Sequence, residues 1–281
     1  MFLYWWTNGH STDLRHTVER GERRTMKELF EQAVRIVREN GRELTGRNGA
    51  DRIREKGRKD YVTEVDIRVQ KQIFEELKKL DPGAGFLGEE QEHPKVPEEG
   101  DVWILDPVDG TTNLIHDFRH STISLAYARD GVICFGIVYD PFHDECFTAE
   151  IGGGAFLNGI QVHVSGKEHL DDCLIAMGTS PGCREHANEN FAKMRRVFDA
   201  CQDIRRIGSA ALELSYVACG RLDGFYEENL KIWDYAAGSL LVTEAGGAFE
   251  TGGPDTMACI QEIREEFQKL LKITEEEQWN G

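Results

Sequence analysis

Residues 102–105 are a run of apolar side chains, Val102-Trp103-Ile104-Leu105, that passes without a break into Asp106-Pro107-Val108-Asp109-Gly110-Thr111-Thr112-Asn113. A short apolar run bounded by turn residues reads as a buried strand. Proline fixes one backbone dihedral and glycine frees another, so the turn that ends the strand is tight. Its two carboxylates, three residues apart, can then face one pocket. At about 4 Å two carboxylates repel by roughly 4 kcal/mol at an effective dielectric of about 20, so a converging pair needs a cation or a proton. Hard oxygen donors favour Mg2+ or Mn2+. A bare D-x-x-D is equally well an ordinary turn with solvated acids. The following residues shift that balance. Gly110 to Asn113 lead into an apolar stretch, where amides at a helix start could hold a phosphate beside the metal.

Charge narrows the partners. With 33 Lys+Arg against 50 Asp+Glu the formal net charge is -17, which repels nucleic-acid backbones and anionic membranes, so neither partner is expected. A small anionic substrate remains compatible, because clustered acids can hold cations that reverse the local sign. The seven cysteines are odd in number and scattered, without metal-ligand spacing. Neither a disulfide framework nor a zinc site is indicated, and a reducing cytoplasm fits. Residues 1–6 are apolar but lack a basic flank and are too short for a signal-peptide core or a membrane span.

The 281 residues are 40% hydrophobic, enough for a large core. Thr25-Met26-Lys27-Glu28 reads as a capping box that opens a helix, with Met26, Leu29, Phe30, Ala33, Ile36 and Val37 at helical spacing. Residues 1–24 are expected to be a poorly ordered extension. Residues 25–281 are expected to form one domain with two sub-halves, about 25–150 and 151–281. A second helical pattern follows Asp66 and ends before Asp81-Pro82-Gly83, and the apolar residues 85–87 lead into Glu89-Glu90. Hairpins are expected around Asp130-Gly131 and Asn158-Gly159. Helical patterns return at 187–201, 210–219, 235–245 and 260–271, with a strand near 223–226.

Residues 103–113, W-I-L-D-P-V-D-G-T-T-N, resemble the signature of the inositol monophosphatase family. Residues 56–66 (K-G-R-K-D-Y-V-T-E-V-D), Gly88-Glu89-Glu90, Gly208-Ser209-Ala210-Ala211 and residues 233–238 (W-D-Y-A-A-G) look like its other blocks, in family order. The resemblance spans about 26–247 and implies an α/β fold, the layered αβαβα sandwich of the inositol monophosphatase and fructose-1,6-bisphosphatase type. It implies Mg2+-dependent, lithium-sensitive hydrolysis of a phosphate monoester, with two or three Mg2+ per site and Mn2+ as a substitute, in a cytoplasmic homodimer. The substrate would be a small phosphorylated polyol or sugar, inositol monophosphate first.

Carried over by position, Glu89, Asp106 and the Val108 carbonyl would hold one metal and Asp106, Asp109 and Asp234 a second, with Asp106 bridging. Asp66 and Thr111 would form a dyad that, with Glu89, orients and deprotonates the attacking water. The amides of Gly110 and Thr111 would hold phosphate oxygens. Ser209 and Ala210 would line the sugar side, and Glu227 would accept a substrate hydroxyl. Lys56 would approach the site, although a loop lysine is ordinarily solvated. Glu227 is equally readable as a surface acid at a strand end. His116 and His120 offer nitrogen, which suits softer metals, and Trp233 reads as core.

Two features depart from the family pattern. Residues 248–259 are shorter than the expected strand-loop-strand, and a missing strand would expose a sheet edge. Residues 1–24 lie outside the resemblance. Rival substrates within the superfamily are 3'-phosphoadenosine 5'-phosphate, fructose 1,6-bisphosphate and other sugar phosphates. A rival of another class is a non-catalytic partner-binding regulator. There is no glycine fingerprint for a nucleotide and no activated Ser, Cys or His triad.

Overall fold

The structure, a computed structural model, describes residues 25–57, 60–91 and 99–272. The extension 1–24 lies outside the described residues. Thr25 caps α1 (Met26–Gly46) through the expected reciprocal bonds with Glu28. A hairpin of β1 (Ile53–Gly57) and β2 (Asp60–Thr63) then leads into α2 (Glu64–Leu80). Here Thr63 is the N-cap, so α2 begins before Asp66 rather than after it, and Asp66 closes a capping box from within the first turn.

Next come β3 (Gly85–Gly88), β4 (Asp101–Asp109), a single helical turn α3 (Thr111–Ile115), β5 (Thr122–Arg129), β6 (Val132–Asp140), β7 (Glu145–Glu150), β8 (Gly154–Leu157) and β9 (Ile160–Val162). These strands form a seven-stranded sheet in chain order. Only β3 and β4 are parallel; both expected hairpins are present. The sheet runs to Val162, so the division expected near 150 would cut through it. Strand alternation sorts the side chains. Trp103, Leu105, Leu125, Tyr127, Phe135 and Ile137 pack beneath α1 and α2. Val102, Ile104, Ala126 and Val138 face the opposite way.

The rest of the chain supplies β10 (Leu174–Met177), α4 (Ala187–Ala200), β11 (Asp203–Arg205), α5 (Ala210–Ala218), β12 (Gly224–Glu228), α6 (Ile232–Glu244), β13 (Ala248–Gly252), β14 (Asp255–Cys259) and α7 (Arg264–Leu271). Its five strands lie in the order β11-β10-β12-β14-β13. The strand feared missing is present. β13 and β14 pair over their full length across a turn at Gly253-Pro254, so the short segment shortens the connection and keeps both strands. Helices α5 and α6 are buried between the two sheets, and α4 and α7 cover the outer face of the second. The layers are therefore α, β, α, β, α, as expected. Among the described residues no helix is long and apolar enough to cross a membrane.

Candidate active site

The acids come together where β3, β4 and the first turns of α2 and α6 meet. The β4–β5 ladder pairs Asp106 with Ser124 and Asp109 with Thr122, so β4 carries one extra residue between its two acids. Pro107 has no amide to lose from the ladder, and the freed Val108 amide donates to Asp106 Oδ1 at 2.9 Å. Glu89 follows β3, held by its own amide on the Leu105 carbonyl at 3.2 Å. Asp234 lies in the first turn of α6, where it accepts the Lys231 amide at 2.6 Å.

Burial, followed by the charges of Glu89, Asp109 and Asp234, raises the Asp106 pKa well above the carboxylate range, and a hydrogen bond with Glu89 adds to this. Asp234 is raised in the same direction, by desolvation and then by Glu89. Asp109 is pushed up to about 6 by burial, although Ser209 and the amides of Ala210 and Ala211 pull it back. Burial and neighbouring like charge thus raise Asp106, Asp109 and Asp234 together, the electrostatic mark of a site that needs a cation. Lys56 partly meets that need. Its Nζ lies 2.7 Å from both Glu89 Oε1 and Glu90 Oε1. Desolvation works against the Lys56 charge, yet the two glutamates outweigh it and raise its pKa.

No three Asp, Glu, His or Cys side chains among the described residues are closed into a coordination shell. The donor chemistry nevertheless fits a hard divalent ion. All four side chains offer oxygen, and among the described residues no Lys or Arg is ion-paired with Asp106, Asp109 or Asp234.

Thr111, the first residue of α3, donates to Asp66 Oδ1 at 2.8 Å and lies 3.0 Å from the Val108 carbonyl. One hydroxyl proton cannot serve both acceptors fully. Asp66 is fully buried; its other oxygen takes the Thr63 amide at 2.9 Å and the Thr63 hydroxyl. Burial raises its pKa, and the Thr63 and Thr111 bonds oppose the rise. Gly110 precedes Thr111 at φ 91°, in the left-handed region. A Cβ there would come within 2.9 Å of the His120 carbonyl, so glycine is required on both counts. Thr111→Ala is expected to lower kcat by about 100-fold with little change in metal affinity, as for loss of a group that orients the attacking water. Steady-state kinetics with metal titration tests this, and an unchanged kcat would remove Thr111 from the machinery.

Ser209 and Ala210 do not line open space. Ser209 is fully buried and donates to Asp109 Oδ2 at 2.7 Å, while the Ala210 and Ala211 amides reach Asp109 at 3.2 and 2.6 Å. Their observed work is to hold a carboxylate at the start of α5. Glu227, on β12, is not a surface acid: it is 6% exposed. It accepts the Ser180 amide at 3.1 Å and lies 3.8 Å from Arg206 Nη2. Burial raises its pKa, and Arg206 opposes the rise. The His120 ring packs against Phe118 and His143. Trp233 packs on the core between the sheets.

Three residues of the site region were not legible in sequence. Arg47 grips the carbonyls of Leu114 and Ile115 at 3.1 Å, fixing α3 from behind. Arg206 faces Glu227. Glu213, buried in α5, takes the Ile207 amide at 2.7 Å and leaves its second oxygen unpartnered; burial and Glu227 push its pKa to about 8. Only Glu213 carried a signal, as a lone acid in an otherwise apolar helical pattern.

The sequence profile of the inositol monophosphatase family matches residues 22–277. The chain belongs to the inositol monophosphatase family. It is a phosphatase, and the family is in general metal-dependent and acts on phosphorylated substrates. Among similar proteins, an inositol-1-monophosphatase of Rhizobium meliloti is 46% identical over 192 residues, 68% of this chain and 72% of that protein. The Nus factor SuhB of Escherichia coli K12 is 38% identical over 267 residues, 88% of this chain and all of that protein. The extragenic suppressor protein suhB of Bartonella henselae superposes with a TM-score of 0.80 at 39% identity, covering 87% of this chain and 98% of that structure.

Proposed function

We propose that this phosphatase hydrolyses inositol monophosphate to inositol and phosphate with Mg2+, by in-line attack of water. The observation that carries the reading is the meeting of Glu89, Asp106, Asp109 and Asp234 beside the Thr111–Asp66 pair. Glu89, Asp106 and the Val108 carbonyl would hold one ion, and Asp106, Asp109 and Asp234 another; Mn2+ would substitute. Bound there, Mg2+ supplies Lewis acidity, which acidifies water, neutralises phosphate and stabilises the leaving alkoxide. That contribution is needed, because monoester hydrolysis requires more than about 20 kcal/mol of barrier reduction and a general base supplies only ~10²–10⁴ in rate.

The chain's own part is proton handling and aim. Asp66 accepts the Thr111 proton, which turns a Thr111 lone pair toward the water. As the water loses its proton to Thr111, the Thr111 proton passes to Asp66, with Glu89 as the second carboxylate able to receive charge. The Gly110 and Thr111 amides hold phosphate oxygens. Inhibition by Li+, a homodimeric state and a cytoplasmic location belong to the same reading.

Glu227 selects the substrate by accepting a polyol hydroxyl. A charged hydrogen bond is worth about 1.5–3 kcal/mol, or roughly 10- to 150-fold. Glu227→Gln is expected to lower kcat/KM for inositol 1-phosphate by that factor and for p-nitrophenyl phosphate far less, at unchanged metal affinity. An equal loss for both, or none, would reject the assignment. A panel with 3'-phosphoadenosine 5'-phosphate and fructose 1,6-bisphosphate separates the rival substrates. The relatives named Nus factor SuhB support a partner-binding role as a second reading, and with the acids in place it would accompany hydrolysis rather than replace it.

A further inference from the structure

Lys193 is a buried cation outside the acid cluster. It lies on the inward face of α4, 3% exposed. Its Nζ is 2.5 Å from the Tyr226 hydroxyl, 2.7 Å from Glu228 Oε1 and 3.2 Å from Asp255 Oδ1, which uses the ammonium's three protons. Apolar side chains of similar volume commonly replace a buried ion pair with no loss of stability. Stability alone therefore does not account for the arrangement.

Its place in β12 suggests another account. Successive strand residues point to opposite faces. Tyr226 and Glu228 face α4, so Glu227 between them faces the other way, toward Arg206. Fixing the residues on either side fixes the pleat from which the Glu227 side chain projects. The same helix holds the segment opposite. Asn190, three residues before Lys193, donates to the Gly178 carbonyl at 3.1 Å, and the Gly178 amide donates to the Tyr226 carbonyl at 2.7 Å. A Cβ on Gly178 would collide with the Glu227 side chain. Ser180 sits at φ 42°, a conformation a non-glycine residue keeps only when its surroundings impose it. Its hydroxyl donates to the Glu228 carbonyl at 2.7 Å, and its amide donates to Glu227 Oε1.

We propose that Lys193 is a positioning residue for Glu227, acting through its ion pair with Glu228 and the Ser180 strap, and that it thereby sets selectivity for hydroxyl-bearing substrates. The inference rests on the reading of Glu227 as the hydroxyl acceptor. It is tested with Glu227→Gln, the double variant Lys193→Met with Glu228→Leu, and Asn190→Ala, each assayed on inositol 1-phosphate and p-nitrophenyl phosphate and melted thermally. Removing both ion-pair partners leaves no orphaned charge on that pair, so the double variant is expected to melt near the wild type. Its KM for inositol 1-phosphate is expected to rise by about three- to tenfold, with kcat and the p-nitrophenyl phosphate constants within about twofold.

A native melting temperature with no selective rise in KM would overturn the proposal, as would an equal loss on both substrates. Should the double variant not fold, Asn190→Ala, which frees Gly178 and leaves the ion pair intact, decides by the same KM readout. If Glu227→Gln itself shows no selective loss, the reading of Glu227 fails and takes the inference with it. If Glu227→Gln is selective and the α4 variants are not, only the inference fails.

Discussion

Asp106→Asn is expected to lower kcat by about a thousandfold or more, because the oxygen assigned to bridge both metals loses its charge and several kcal/mol of transition-state stabilisation go with it. Stability should move the other way. Asp106 is buried, and its pKa is raised well above the usual range by burial and three neighbouring acids. A carboxylate raised in the folded state favours folding least above its folded pKa, where it must ionise among like charges. The amide keeps the shape without that cost, so the metal-free variant should melt at or above the wild-type temperature at pH 8. Near-wild-type kcat would reject the bridging role. A lower melting temperature in chelator would show that the carboxylate has a structural partner.

Removal of divalent ions is expected to abolish turnover and to destabilise the fold, because the charges of Glu89 and Asp109 beside Asp106 and Asp234 are then offset by no ion. An ion at about 100 times its dissociation constant stabilises by roughly 2.7 kcal/mol. For a chain of this size that is about 5–10 °C of melting temperature. Ca2+, which prefers longer and more numerous bonds, should restore part of the stability and little of the activity. Calorimetry and phosphate release in chelator, then with Mg2+ or Ca2+ added, test both halves. Full activity in excess chelator would sink the metal reading.

What could be read from the chain beforehand followed local rules. Thr25 with Glu28, the hairpins at Asp130-Gly131 and Asn158-Gly159, and the acid-bearing end of the 102–109 strand each depend on neighbours in sequence. The helix start at Glu64 was missed because the apolar stripe begins later than the cap. Thr63 sets the boundary through hydrogen bonds, which hydrophobic spacing does not record. The strands at 248–259 were underestimated because a tight turn needs almost no chain. Arg47, Arg206 and Lys193 had no signal, since a lone cation in a helix or loop looks solvated until the fold brings up a carbonyl or carboxylate from 21 to 68 positions away. Ser209 and Ala210 sat in a recognisable block, but only the fold shows that they turn toward Asp109.

The extra residue in β4 makes the spacing of its acids a question of parity. On an unbroken strand, side chains three positions apart emerge on opposite faces, and Asp106 and Asp109 could never share a pocket. Their cross-strand partners, Ser124 and Thr122, are two apart and therefore on one face. The insertion converts an odd interval into an even one. Counting, rather than chemistry, is then what the middle of the motif must preserve: Val108 can change its side chain and leave the acids together, whereas adding or deleting one residue between them would send one carboxylate to the far side of the sheet.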